Sequence, residues 1–345
     1  MSLTNRNTFF SLLLLLFSIS LTLVILEITL RIFDIGYGSA PLDSNPILHH
    51  SHPVSYEYRV HDPTGEYGGF NIYYDEDGLS SPKYRVVKNN GDSCRIAFIG
   101  DSFTKASQVV YEDSFVGLLD RQSKCIVKNY GVSSYSPILY LLQWPFIENS
   151  FNPTHVFVQL FSNDMEDDKK YYSIAKKDEN GEINSVPGPG NDWLISQLRK
   201  SYLIRLARKM QLKIKWMYQN YKVENKKIVS GIVEEVPSIN DLSKSFIKKL
   251  NDKVVLSGSS FTLFVVPSKY KSMTKNYNDD DDFSDRIKKF SVDEKIEFID
   301  LTKEFKRKSL NGDKLFFDKD IHFNGNGHAV VADVISKKYP QLFRY

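Results

Sequence analysis

Hydrophobic and polar positions divide the chain into three stretches of different texture. Phe9 to Leu26 is an almost unbroken apolar run, relieved only by Ser and Thr and extended by Ile28, Leu30 and Ile32. About 20 apolar residues suffice to cross a bilayer as a helix. A cleavable signal has a shorter core and a small-residue cleavage site, whereas here Glu27 and Arg31 follow without an Ala-x-Ala. Residues 1–33 are therefore predicted to be an uncleaved transmembrane anchor, with the rest of the chain outside the cytoplasm, periplasmic or at the cell surface. Arg6 lies before the span and Arg31 after it, so the positive-inside rule barely decides the orientation. From 34 to 92 no helical period emerges. Gly, Pro, His and Tyr recur, and the stretch reads as a lead-in of loops and short strands.

From Ser93 onward, runs of branched apolar residues alternate with helically spaced segments. The runs are one ending at Gly100-Asp101-Ser102, then Ile126 to Tyr130, His155 to Leu160, Phe261 to Val266 and Ile296 to Ile299. Helical patterning appears around Asp113 to Leu119, Leu139 to Ile147 and Gly327 to Lys338. Such βα alternation calls for a parallel sheet with helices on both faces, so 93–345 is expected to be one domain. Residues 165–253 interrupt the alternation and read as an insertion. Within it, Glu179-Asn180-Gly181-Glu182 predicts a hairpin turn. Ile195, Leu198, Tyr202, Leu206, Met210, Ile214, Met217 and Tyr221 then recur at helical spacing among many Lys and Arg. That pattern reads as a helix with one face in the core and the other in water. A membrane surface or an anionic glycan is the alternative for its basic face.

Composition changes this picture little. At 345 residues with a net charge of +3, the chain has ample core material and no charge signature of nucleic-acid binding. Cys94 and Cys125 begin adjacent apolar runs. If those strands are parallel neighbours, both cysteines lie at one end of the sheet, within reach of a disulfide; two buried thiols are the equal alternative. His49, His50, His52 and His61 share no metal-like spacing with Cys or carboxylate and are read as surface loop. The acidic run Asp279 to Asp282 is read as solvated. No cofactor or metal is called for.

Chemistry concentrates at the carboxyl ends of the predicted strands, where open α/β sheets bind ligands. Ser102 stands at the first such end. Near the C-terminus, Asp320-Ile321-His322 precedes the last helix. A serine needs a base to take its proton, and the base needs an orienting partner. Asp320 and His322, two apart, can place a carboxylate beside Nδ1 and leave Nε2 for Ser102. Asp318 is the alternative orienter, and His328 reads as structural. An acyl-transfer intermediate also needs oxyanion donors; the candidates are the N–H groups of Gly131 and Ser102 and the side-chain amide of Asn163.

With these residues in this order, the chain resembles the SGNH (GDSL-type) hydrolases. Gly100-Asp101-Ser102, Gly131, Asn163-Asp164 and Asp320-Ile321-His322 match the family's blocks, and Asp75 to Leu79 looks like the lead-in of some membrane-anchored members. Two positions depart from the family pattern: Phe161 stands where the asparagine block usually opens with Gly, and the acid–base block is Asp-x-His rather than Asp-x-x-His. The resemblance implies a flavodoxin-like three-layer α/β/α sandwich and metal-independent ester chemistry through an acyl-serine. The expected activity is an esterase removing small acyl groups, acetyl above all, from an extracytoplasmic glycan. An O-acetyltransferase using the same residues is the alternative, and a non-catalytic glycan-binding protein a further one. Expected partners are an acylated carbohydrate or other ester and, through the N-terminal helix, the membrane; nucleic acid is not expected.

Overall fold

In a computed structural model of the protein, residues 3–33, 35, 42–62, 64–84, 94–190, 198, 200–211, 214, 241–269 and 283–343 are described. Several expectations lie outside these residues: Ile195, Met217, Tyr221, the 279–282 run, and the boundaries near 34 and 92.

The apolar run forms helix α1 (Leu3–Ile32). Its Thr8–Ile32 portion has a mean hydropathy of 2.7 with none of its best window buried, so the helix is long and apolar enough to cross a membrane. The lead-in forms β1 (Asp43–Asn45), β2 (His49–Ser51), β3 (Tyr56–His61), β4 (Gly68–Tyr74) and β5 (Ser80–Ser81). Next come β6 (Arg95–Ile99), helix α2 (Ser102–Lys105), α3 (Phe115–Arg121), β7 (Ile126–Asn129), α4 (Pro137–Phe151), β8 (His155–Leu160) and α5 (Asp164–Ile174). The predicted Asn-Gly turn joins β9 (Lys176–Lys177) to β10 (Ile183–Ser185), with Gly181 at φ 79°. After the helix Asp241–Leu256 come β11 (Ser260–Val265) and β12 (Glu297–Ile299), and the helix Gly325–Lys338 lies near the end.

Eight strands form one sheet in the order β12-β11-β8-β6-β7-β5-β4-β3. The five from β12 to β7 are parallel, and β5, β4 and β3 add antiparallel at the β7 edge. Counted along the chain, the parallel strands follow the flavodoxin-like 2-1-3-4-5 order, whose direction of winding reverses between β6 and β8. Both faces are covered, which is why these strands read as continuous apolar runs. Ala97 and Ile99 point toward α4 and the helices Asp241–Leu256 and Phe283–Asp293. Ile96 and Phe98 point toward α3, the helix Gly325–Lys338 and the C-terminal Phe343. Cys94 and Cys125, at the amino ends of β6 and β7, form a disulfide with Cα atoms 4.8 Å apart. The lead-in strands alternate buried and exposed positions and keep a small core of their own, Tyr58, Val60, Ile72 and Tyr74.

Candidate active site

Ser102 begins α2 directly after β6, at the edge where the winding reverses. Asp101 caps this turn, its carboxylate accepting the Phe103 N–H at 2.8 Å. The buried amide oxygen of Gln159, from neighbouring β8, accepts the Asp101 N–H at 3.1 Å and the Thr104 hydroxyl at 2.9 Å. The strand-to-helix turn is thereby tied to the next strand. Gly100 serves close approach: a Cβ there would lie 2.2 Å from Thr104 Oγ1 and 2.5 Å from Gln159 Oε1. Asp101 is fully buried, and that burial raises its pKa against the Phe103 N–H and the nearby His322 charge. Burial, together with the like charge of Asp101, also holds Asp164 well above the carboxylate range.

His322 Nε2 lies 2.8 Å from Ser102 Oγ. On the other side of the ring, Nδ1 is 2.5 Å from Asp320 Oδ1, which also accepts the His322 backbone N–H at 3.0 Å. Both bonds come from the two-residue spacing, because the segment turns back on Asp320 much as an Asx turn does. Burial pushes the Asp320 carboxyl up, but the His322 hydrogen bond and charge outweigh it, with help from that backbone N–H and the Tyr67 hydroxyl, and hold it down at about 2. The chain therefore brings Ser102, His322 and Asp320 together. Asp318, the alternative orienter, is exposed and pairs with Lys314 at 3.0 Å. His328 is buried: its Nδ1 accepts the Phe115 N–H at 3.3 Å, and burial pushes its pKa down to about 3.

The oxyanion candidates fare differently. Among the described residues the Ser102 N–H has no acceptor in the protein. The Asn163 amide, exposed at the head of α5, gives one proton to Asp167 Oδ2 at 3.1 Å and keeps the other. The Gly131 N–H is already engaged within the protein. Its N–H donates to Asn129 Oδ1 at 2.9 Å, while Asn129 Nδ2 donates to the Thr104 carbonyl at 2.7 Å. Asn129 thus binds the end of β7 to the nucleophile helix and uses up the Gly131 donor. A Cβ at 131 would come within 2.4 Å of the Lys105 nitrogen and 2.7 Å of the Thr104 carbonyl carbon. Glycine is required there for packing behind α2.

The sequence reading missed the groups that hold the acid–base loop. Tyr67, from the lead-in, donates to Asp320 Oδ2 at 2.9 Å and packs its ring 4.9 Å from Phe317. Its neighbour Glu66 accepts the N–H groups of Asp318 and Lys319, the latter at 2.8 Å. Lys269 donates to the carbonyls of Phe317 at 2.5 Å, Asp318 at 2.8 Å and Asp320 at 3.2 Å. No local pattern marks Glu66 or Tyr67, whose partners lie some 250 positions away. Phe103 lies 4.8 Å from the His322 ring, and Phe161 lies 4.7 Å from Phe103. Among the described residues no cluster of His, Cys and carboxylates is arranged to hold a metal.

This arrangement suits acyl transfer: a hydroxyl against an imidazole, the imidazole against a carboxylate, and an unengaged backbone N–H on the hydroxyl's own residue. Solved structures similar to the chain include three esterases. The acetyl xylan esterase AlAXEase is 17% identical, with 71% of this chain and 98% of that one covered at a TM-score of 0.43. A catalytic mutant of an acetylxylan esterase from Geobacillus stearothermophilus is 12% identical, with 75% and 99% covered at 0.43. The psychrotrophic esterase EstA from Pseudoalteromonas sp. is 14% identical, with 72% and 97% covered at 0.40. No curated protein sequence matches the chain. The family model of the GDSL-like lipases and acylhydrolases matches residues 98–330, from within β6 into the last long helix. The chain belongs to the GDSL-like lipase/acylhydrolase family and is a serine ester hydrolase.

Proposed function

We propose that the chain is a membrane-anchored esterase that removes short acyl groups, acetyl foremost, from an extracytoplasmic glycan. The observation that carries the reading is the 2.8 Å contact of Ser102 Oγ with His322 Nε2, backed by Asp320 at 2.5 Å from Nδ1. Ser102 Oγ attacks the acyl carbonyl while His322 Nε2 takes its proton, and Asp320 holds the ring and balances the imidazolium. The Ser102 N–H and the second Asn163 amide proton stabilise the oxyanion. As the intermediate collapses, the bond to the sugar oxygen breaks and His322 gives its proton to that oxygen, releasing the sugar hydroxyl and leaving acyl-Ser102. Water, deprotonated by His322, then releases the acid. The Phe161 ring against Phe103, next to the imidazole, favours a short acyl group. The apolar α1 supports the anchor, and the Cys94–Cys125 disulfide supports an oxidising compartment.

The test uses p-nitrophenyl acetate and a serine-directed sulfonyl fluoride, with the adduct located by mass spectrometry. The expected adduct is on Ser102, and turnover in Ser102→Ala and His322→Ala is expected to fall by about 10⁴-fold or more. Full turnover in Ser102→Ala would overturn the reading. Acetylated xylan or another acetylated glycan, with and without added acceptor sugars, separates release to water from transfer to a second hydroxyl.

A further inference from the structure

Residues 202–211 form a helix that starts where α1 ends. In α1, Glu27 is half-buried and Leu30 buried, while the other described residues from Thr8 to Phe33 are exposed. The Glu27 carboxylate accepts the Ser201 hydroxyl at 2.8 Å and the N–H groups of Tyr202 at 3.0 Å and Leu203 at 2.9 Å. It caps the 202–211 helix from a different element, satisfying N–H groups that a helix start leaves unpaired. Arg31 bonds the same carboxylate at 2.7 Å, donates to the Lys200 carbonyl at 3.2 Å and lies 5.2 Å over the Tyr202 ring. One turn along the helix, Arg205 lies 5.6 Å over the Tyr202 ring and donates to the Tyr56 hydroxyl in β3 at 2.8 Å. The helix therefore bridges α1 and the edge of the catalytic sheet.

Its remaining face is bare. Ile204, Met210 and Ile214 are 39%, 58% and 62% exposed, and Ala207 is exposed with them. Offsets of three put Ile204, Ala207 and Met210 on one stripe of the helix. Residues 198–215 contain seven Lys and Arg and no Asp or Glu. Height supplies a further argument. From Thr8 to Glu27 a helix rises about 28 Å, close to the roughly 30 Å thickness of a bilayer's hydrocarbon core. Glu27, and with it the start of the 202–211 helix, then lies at the headgroup boundary, where Tyr, Lys and Arg are favoured.

We propose that the 202–211 helix lies in the headgroup layer of the leaflet from which α1 emerges, its Ile204–Ala207–Met210 stripe seated among anionic lipids and its start held by Glu27. The proposal rests on reading α1 as an anchor. The domain would then be fixed in attitude to the bilayer as well as tethered to it.

The full chain, reconstituted in vesicles of brominated phosphatidylcholine and phosphatidylglycerol, provides the test. An environment-sensitive fluorophore is attached in Ala207→Cys and, as an anchor reference, in Phe17→Cys; the two native cysteines are joined to each other and take no label. At 207 the label should be quenched by brominated lipid and shielded from aqueous iodide, with quenching roughly twofold stronger when phosphatidylglycerol is present. Adding Glu27→Ala should expose the 207 label to iodide while Phe17 stays quenched. A 207 label open to iodide in the native background, with Phe17 quenched, overturns the proposal and leaves the anchor standing. If neither label meets lipid, the anchor reading falls and the proposal with it. A 207 label unaffected by Glu27→Ala overturns the role given to the cap.

Discussion

Asp320 accepts from His322 twice and from Tyr67 once, and Tyr67 is the donor that comes from outside its loop. Tyr67→Phe keeps the ring on Phe317 and removes only the hydroxyl. A hydrogen bond to a charged acceptor contributes about 1.5–3 kcal/mol, and part of that loss should appear in the transition state. The expected result is a roughly ten-fold fall in kcat/KM on p-nitrophenyl acetate with little change in KM, and a matching slowing of sulfonyl fluoride labelling. An unchanged labelling rate would reduce Tyr67 to packing. Lys105, one turn after Ser102, presents a different problem. It is 5% exposed, and its ammonium lies 5.9 Å over the Tyr74 ring. Burial pushes its pKa down to about 8. Between about pH 8 and 10.5 the unfolded chain holds more protons than the native one, so this group's contribution to stability rises with pH across that window and is lost as pH falls through 8. Lys105→Met should therefore stabilise the protein at pH 7, by up to about 3 kcal/mol, and the gain should shrink toward pH 10 in urea titrations. Ser102, Asn163, Asp320 and His322 were legible because each stands at a strand end or just before a helix, in a short pattern of recognisable chemistry. The choice of Asp320 over Asp318 needed geometry. Tyr67 had no local signal, and the Asn129 claim on the Gly131 N–H showed only as an Asn-x-Gly.

At the scale of elements, legibility follows burial. β8 matches its predicted span residue for residue, and β7, β11 and β12 differ by a residue at their ends, since strands covered on both faces read as unbroken apolar runs. Among the lead-in strands β3 alternates Tyr with charged residues, whereas β1, β2 and β5 have only two or three residues, too few for any period. The helix Asp241–Leu256 runs past the expected end of the insertion and packs Phe246, Ile247 and Leu250 into the main core. Of the apolar positions predicted to face a core in the insertion, Leu198, Met210 and Ile214 are exposed. Two changes test how the elements around Ser102 are joined. Gly131→Ala places a methyl against the backbone of α2; overpacking of this kind costs about 1–3 kcal/mol, and here turnover should fall along with the melting temperature because Ser102 rides on that helix. Replacing Cys94 and Cys125 by Ser opens a loop of separation 31, with an expected loss of roughly 3–4 kcal/mol in denaturant titration. Turnover of the folded double variant should change little, because the bond lies at the opposite end of β6 from Ser102.

Across the whole molecule, the parallel sheet followed from the βα alternation, and its flavodoxin-like winding from the resemblance to the SGNH hydrolases. The antiparallel extension did not, because pairing of β5 with β7 depends on a contact between Ser80 and Asn129 that no sequence period encodes. That extension carries Tyr67 and Glu66 to the acid–base loop. A soluble chain starting near Leu42 should therefore keep turnover, whereas one starting at Ser93 should lose most of it and expose the β7 edge to aggregation. Comparing the two by size-exclusion chromatography and esterase assay checks this. The same wiring governs timing. Ser102 and His322 are 220 residues apart, and Tyr67 and Asp320 are 253 apart. At synthesis rates of about 5–20 residues per second, on the order of ten to forty seconds separate the two halves of the site as they leave the ribosome. During that interval the nascent chain holds a serine without its base, so a polypeptide still being synthesised cannot act on esters it meets along the way.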